Sequence, residues 1–213
     1  MYLPPVPLPR YPDDFSWLHE PPAHALDPVS AALTFTTAPK TDFWQRTHYG
    51  FRRDDGHVFG AQVTGDFTLV ACVATAPQAQ YDQAGLFLRL DAENWVKCSV
   101  EYERADHGRL GSVVTRDGYS DWATRDVVAP HRPRWYRLDR RGEDLRLSWC
   151  DGPGDDGPAR PPSAPTDAAW RQMRIAHLPN PPSTALAGVY GCSPQGRGAR
   201  CRAWGIQLGE LRW

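Results

Sequence analysis

The sequence has no apolar run approaching the ~20 residues that a membrane-spanning helix requires. Its first residues, MYLPPVPLPRYPDDF, lack the basic region and apolar stretch of a secretory leader. Helical periodicity is almost absent. Neither sign of charge is in excess: 24 Lys and Arg stand against 25 Asp and Glu, which gives no basic face for nucleic acid or for an anionic membrane. Cysteine is limited to five, an odd number without paired spacing, which fits a reducing compartment. No C-x-x-C, H-E-x-x-H or G-x-S-x-G motif occurs. Seven scattered His offer no metal-ligand spacing. GPGDDG (152–157) matches a phosphate-loop pattern only in letters, because it sits among prolines with no helix to follow. These absences predict a cytoplasmic protein without a metal or cofactor, and with no nucleic-acid or membrane partner.

What is present is apolar content of 41%, sufficient for a core, with nine Trp and 21 Pro. So many prolines imply many turns. Period-two runs recur at 31–36, 57–63, 66–74, 83–90, 94–103, 110–116, 122–128, 134–140, 143–150, 186–192 and 200–211, which predicts an all-β sandwich. Turn residues separate them at 53–56, 64–66, 91–94, 116–118 and 140–142. Only 167–173, DAAWRQM, reads as a short helix, with Asp167 as its N-cap. Residues 1–14 read as an extended Pro-rich arm, 15–213 as one sandwich domain, and 151–166 as a long exposed loop. Trp135, Trp149, Trp170 and Trp204 read as core. Cys192 and Cys201 flank an expected hairpin, where no disulfide is expected.

The stretch DQAGLFLRLDAENWVKCSVE (82–101) holds two apolar rows, Leu86, Leu88, Leu90 and Val96, Cys98, Val100, joined by a polar turn. For both rows to share a face, Leu88 must oppose Val96. The same register sets Gln83 opposite Glu101, Gly85 opposite Ser99, Phe87 opposite Lys97 and Arg89 opposite Trp95. The second face then mixes charge with aromatics, and Gly85 and Ser99 leave a gap for something to approach the backbone. Two uses fit: a ligand-binding strip, or a fully paired polar ladder that fixes register.

The order of motifs resembles a concanavalin A-like jelly-roll family of unknown function whose named member is the yeast regulator of enolase. The resemblance runs from FSWLHEPP (15–22) and TDFWQRTHYGFRRDDGHVF (41–59) through YDQAGLFLRLDAENWVKCSVEYE (81–103), LGSVVTRDGYSDWA (110–123) and RWYRLDRRGEDLRLSW (134–149) to LAGVYGCSPQGRGARCRAWGIQL (186–208). It departs from the family pattern at His19, where Asn is expected, and in the longer 151–166 loop. The resemblance implies two antiparallel sheets, one of them concave, and a concave face that commonly binds carbohydrate in the wider superfamily.

The expected ligand site therefore comprises Gln83, Phe87, Trp95, Lys97 and Glu101, with Trp44, His48, Tyr49 and Trp122 as groove walls. Phe87 and Trp95 would stack on a sugar ring; Gln83, Lys97 and Glu101 would bond its hydroxyls. The leading function is a non-catalytic module that binds a carbohydrate or small polar metabolite. One alternative is a cytosolic regulatory protein that binds a metabolic enzyme, as the resemblance suggests. Another is a glycoside hydrolase-like enzyme using Glu101 and Glu103, which share a face; however, glycosidases need two poised carboxylates, and Lys97 is placed to neutralise Glu101.

Overall fold

A computed structural model describes residues 8–154, 163–179 and 184–213. Among them the strands, in chain order, are β1 (Ser16–Leu18), β2 (Ala23–Leu26), β3 (Leu33–Thr36), β4 (Phe43–Gln45), β5 (Arg52–Asp54), β6 (His57–Thr64), β7 (Phe67–Ala76), β8 (Gln83–Arg89), β9 (Trp95–Arg104), β10 (His107–Arg116), β11 (Tyr119–Val127), β12 (Arg134–Arg141), β13 (Asp144–Asp151), β14 (Arg171–His177), β15 (Thr184–Cys192) and β16 (Arg200–Gly209). They form two seven-stranded antiparallel sheets, ordered β1-β6-β15-β8-β9-β10-β11 and β14-β13-β12-β7-β16-β3-β2, and a separate β4–β5 ribbon. The all-β jelly-roll sandwich is thus present.

Alternation explains the packing. Leu86, Leu88, Val96, Cys98 and Val100 turn inward from the first sheet and meet Leu69, Ala71, Tyr136 and Leu138 of the second. The pairing predicted for 83–89 and 95–101 is the one observed, with Leu88 opposite Val96 and Gln83 opposite Glu101. Asp91 sets it. Its carboxylate accepts from the Glu93 backbone N–H at 2.7 Å and from the Asn94 amide at 3.0 Å, closing the connection between β8 and β9.

Several local expectations are corrected. DAAWRQM is not a helix: a single 3₁₀ turn spans Asp167–Ala169, Thr166 rather than Asp167 precedes it, and the remainder enters β14. Cys192 and Cys201 do not flank a hairpin, since β15 and β16 belong to different sheets. Residues 11–14 form a turn, not an extended arm, and Leu8 and Tyr11 pack on the core; residues 1–7 lie outside the described residues. The same is true of 155–162 within the expected 151–166 loop. Trp149 joins the central core, whereas Trp135 and Trp204 bury themselves on the outer face of the second sheet, with Trp170 packed against them. His19 adopts φ 56°, a left-handed conformation that Asn enters more easily than most residues.

All five cysteines are free and buried. Burial pushes the Cys72 and Cys98 thiols up to about 12. We expect five titratable thiols in denaturant without reductant, and almost none reacting rapidly in the native protein. A denatured count of three would require a disulfide where the structure has only free thiols.

Candidate functional site

The outward face of the first sheet is where charge and aromatics meet. The β4–β5 ribbon folds across part of it. Phe43 of β4 sits 4.4 Å from Phe87, ring centre to ring centre, and 6.0 Å from Trp95; Phe87 in turn stacks on Trp95 at 5.6 Å. Phe87 and Trp95 are fully buried in this cluster. The stacking role expected of them is therefore withdrawn: a ring already covered by Phe43 has no face left for a ligand. The gap expected at Gly85 and Ser99 is also filled. Tyr190 pairs with Gly85 on the neighbouring strand, and its hydroxyl reaches Ser99 Oγ at 2.8 Å, so its ring lies across the glycine.

Beside this cluster Lys97 is buried, 2% exposed. Its ammonium donates to Gln83 Oε1 at 3.0 Å and to Asp42 Oδ1 at 3.3 Å. The Tyr190 hydroxyl also bonds Gln83 Oε1, at 2.8 Å, and the Gln83 amide donates to the Tyr81 carbonyl at 2.9 Å. Burial alone would lower the Lys97 pKa, but the charges of Asp42, Cys192 and Glu101 outweigh it and hold the amine above its ordinary value. The partner of Lys97 is thus Asp42, on the segment before β4, and not Glu101 as the sequence suggested.

Glu101 is left differently placed. It is 8% exposed and lines the adjoining pocket, and no side-chain hydrogen bond or ion pair holds it among the described residues. Burial pushes its carboxyl up to about 7, against the lowering influence of Lys97. Glu103, two residues on, is tied to Arg109 at 2.8 Å and to the Gln80 amide at 2.7 Å.

The pocket encloses about 110 Å³. Gln83, Lys97 and Glu101 line its floor with Asp42; Trp44, Tyr49, Phe51, Tyr81 and Trp122 wall it; Pro194 and Gln195 close one side. It adjoins a wider groove of about 760 Å³ in which Trp44, Tyr49 and Trp122 are shared and His48, Thr47 and Tyr119 are added. Of the expected site residues, Gln83, Lys97, Glu101, Trp44, Tyr49 and Trp122 come together here, His48 lies in the outer groove, and Phe87 and Trp95 lie beneath. Sequence reading missed Asp42, Phe51 and Tyr81. Asp42 stands in the TDFWQRTHYG block already singled out, but its pairing with a lysine 55 residues away has no local signature.

The walls are fixed by local backbone chemistry. Arg46, His48 and Gly50 all take left-handed φ values, 53°, 64° and 76°, which tighten the 46–50 loop. The Trp44 indole N–H donates to the Thr47 carbonyl at 3.0 Å. Arg46 donates to the Gly118 carbonyl at 2.8 Å and lies 5.1 Å from the Tyr119 ring centre, joining this loop to the β10–β11 turn. On the opposite side Lys40 donates to the Gln195 carbonyl at 2.7 Å, and Ser193 donates to Asp82.

No group of three or more His, Cys, Asp or Glu placed to hold a metal is found among the described residues. No helix among them is long and apolar enough to cross a membrane.

Comparison with known proteins adds the following. The chain is similar to Regulation of enolase protein 1 of Saccharomyces cerevisiae, 30% identical over 185 residues, covering 87% of this chain and 84% of that one. A crystal structure of a functionally unknown Saccharomyces cerevisiae protein superposes with a TM-score of 0.79 at 29% identity, covering 94% of this chain and 98% of that one. The GH43 protein BlXynB (K247S mutant) of Bacillus licheniformis shares the fold over 37% of its own length and 93% of this chain, with a TM-score of 0.65 at 14% identity. The sequence pattern of the family described as "Protein of unknown function (DUF1349)" matches residues 17–210, and the chain belongs to that family.

Proposed function

We propose that the protein is a non-catalytic binding module whose outward pocket takes a carbohydrate or a small polar metabolite. The observation that carries this reading is the pocket's composition: aromatic walls over a polar floor, with a carboxyl facing the space and lacking a partner among the described residues. Trp44 and Trp122 replace Phe87 and Trp95 as the surfaces on which a ring would stack. Hydrolysis is disfavoured, because glycoside cleavage uses two carboxyls about 5–9.5 Å apart with distinct poise, and Glu103 and Asp42 are both engaged by cations. A reducing cytoplasm remains the compartment that suits five unpaired thiols.

A screen of glycans and metabolites read by thermal shift tests the reading, since a ligand selective for the native state raises the melting temperature. We expect a stabilising ligand whose effect is lost in Trp122→Ala. A stabiliser that acts equally on both proteins binds elsewhere and overturns the assignment.

A second reading has its own support. Tyr49 and Phe51, 50% and 43% exposed, stand at the rim and would suit a protein partner, and the yeast relative's name refers to enolase regulation. In that case purified enolase, and no small molecule, would co-elute with the protein in size-exclusion chromatography, and Tyr49→Ala would abolish the complex.

A further inference from the structure

The charges around the pocket do not balance evenly. Lys97 is satisfied by Asp42 at 3.3 Å and Gln83 at 3.0 Å. Arg109 is satisfied by Glu103 at 2.8 Å. Glu101 lies between these two pairs, more than nine-tenths buried, with no cation or donor of its own among the described residues. A buried carboxylate without a partner carries a heavy desolvation penalty.

The walls above it are rings. Trp44 and Tyr49 meet at 66° with centres 5.5 Å apart, and Phe51 lies nearly parallel to Tyr49 at 5.8 Å. Rings set at a steep angle make the corner of a box. The faces of aromatic rings carry negative electrostatic potential, and such boxes attract alkylated ammonium groups. A neutral sugar would use the rings for stacking and leave Glu101 with only a hydroxyl. An organic cation uses both the rings and the carboxylate.

We propose that the pocket accepts a compact organic ammonium group, with Glu101 as its counter-ion and Trp44, Tyr49 and Trp122 as its aromatic walls. This rests on the reading of the pocket as a ligand site and narrows the chemistry of that ligand.

A pH signature follows. With the Glu101 carboxyl raised to about 7, much of it is neutral at physiological pH, and a bound cation draws it into the ionised form with release of a proton. Affinity for a permanently charged cation should then rise about tenfold between pH 6 and pH 8. The other groups facing Glu101 are Lys97 and Glu103 on β9, Asp42 before β4, Arg109 on β10, Tyr81 before β8 and Tyr190 and Cys192 on β15; burial raises the Tyr190 phenol far above that window. Lys97, Arg109, Tyr81 and Cys192 are all raised from values already above that window.

The test uses matched probes: choline against 3,3-dimethyl-1-butanol, its neutral carbon analogue, and glucosamine against glucose. Binding is read by calorimetry and tryptophan fluorescence. At pH 8 we expect choline to bind about tenfold more tightly than 3,3-dimethyl-1-butanol, and at pH 7, where most of its amine is protonated, glucosamine to bind several-fold more tightly than glucose, in keeping with a desolvated cation among rings. Whichever pair shows the preference tells an alkylated ammonium from an amino sugar. In Glu101→Gln the preference and its pH dependence should both vanish in a protein no less stable than the wild type, and Trp122→Ala should weaken the cation without unfolding the protein. Equal binding of charged and neutral members, a preference for glucose, or failure of both cations at saturating concentration would overturn the inference. If the glycan and metabolite screen then still yields a Trp122-dependent neutral ligand, the binding-module reading survives; if it does not, both fall.

Discussion

Replacing Lys97 by Ala should cost on the order of 3–5 kcal/mol of folding stability, the range for removing one partner of a buried ion pair. The change strands two acceptors. Asp42 would keep a carboxylate pointing into a space vacated by its only ion-pair partner among the described residues, and Gln83 would lose one of the two donors on its side-chain oxygen. The Tyr190 hydroxyl bonds the same Gln83 oxygen and in turn Ser99 Oγ, so the disturbance spreads across β15, β8 and β9. Urea unfolding at pH 7 is the measurement. A loss near 1 kcal/mol would mean that the ammonium is solvated and the network is not structural. Adding Asp42→Asn to a Lys97→Met background should recover much of the loss, because the uncompensated charge is then gone.

Glu101→Gln should behave in the opposite sense. The native carboxyl, raised to about 7 by burial, holds its proton where an unfolded Glu has already lost it. The native state therefore binds more protons than the unfolded chain between about pH 4.3 and pH 7, and the contribution of Glu101 to stability falls across that window. It is fully present below the unfolded pKa and lost above the folded one. The amide copies the neutral acid, so the variant should match the wild type near pH 4 and exceed it by on the order of 3 kcal/mol at pH 8. Melting both proteins across this range decides it. If Glu101→Gln instead loses as much stability as Lys97→Ala, the carboxyl has a structural partner, and the polar strip is a ladder rather than the floor of a binding pocket.

The contrast between these two residues marks how far the sequence could be read. The period-two rows of 83–90 and 94–103 carried the register, because a slip of one residue would have turned Leu88 and Val96 to opposite faces. The mixed face was legible as unusual. What lay on it was not, because Phe43 and the Asp42 that precedes it come from a ribbon and its lead-in some forty to sixty residues earlier, and three-residue strands leave no periodic trace. That distant cover buries Phe87 and Trp95 and claims Lys97, so among the described residues only Glu101 of the strip's charged members keeps a face to the pocket without a partner. β14 was missed for a related reason: RQMRIAH has no buried position and hence no clean apolar row, and its first residues passed for a helix. The aromatic walls were legible as candidates in TDFWQRTHYG and RDGYSDW, since these blocks set Trp and Tyr beside turn residues, but nothing local distinguished a rim from a cap.

The chain contains only two lysines, Lys40 and Lys97, and they could hardly differ more in surroundings. Lys97 is sealed beneath the ribbon, whereas Lys40 is exposed, tethering the strand-free segment before β4 to Gln195 at the pocket's edge. Amine-reactive dyes should therefore attach, apart from the α-amino group, at a single place. A fluorophore on Lys40 would sit a few ångströms from the pocket edge without occupying its floor. It would report the filling of the site by a change in emission, in a protein that needs no engineered cysteine to be labelled.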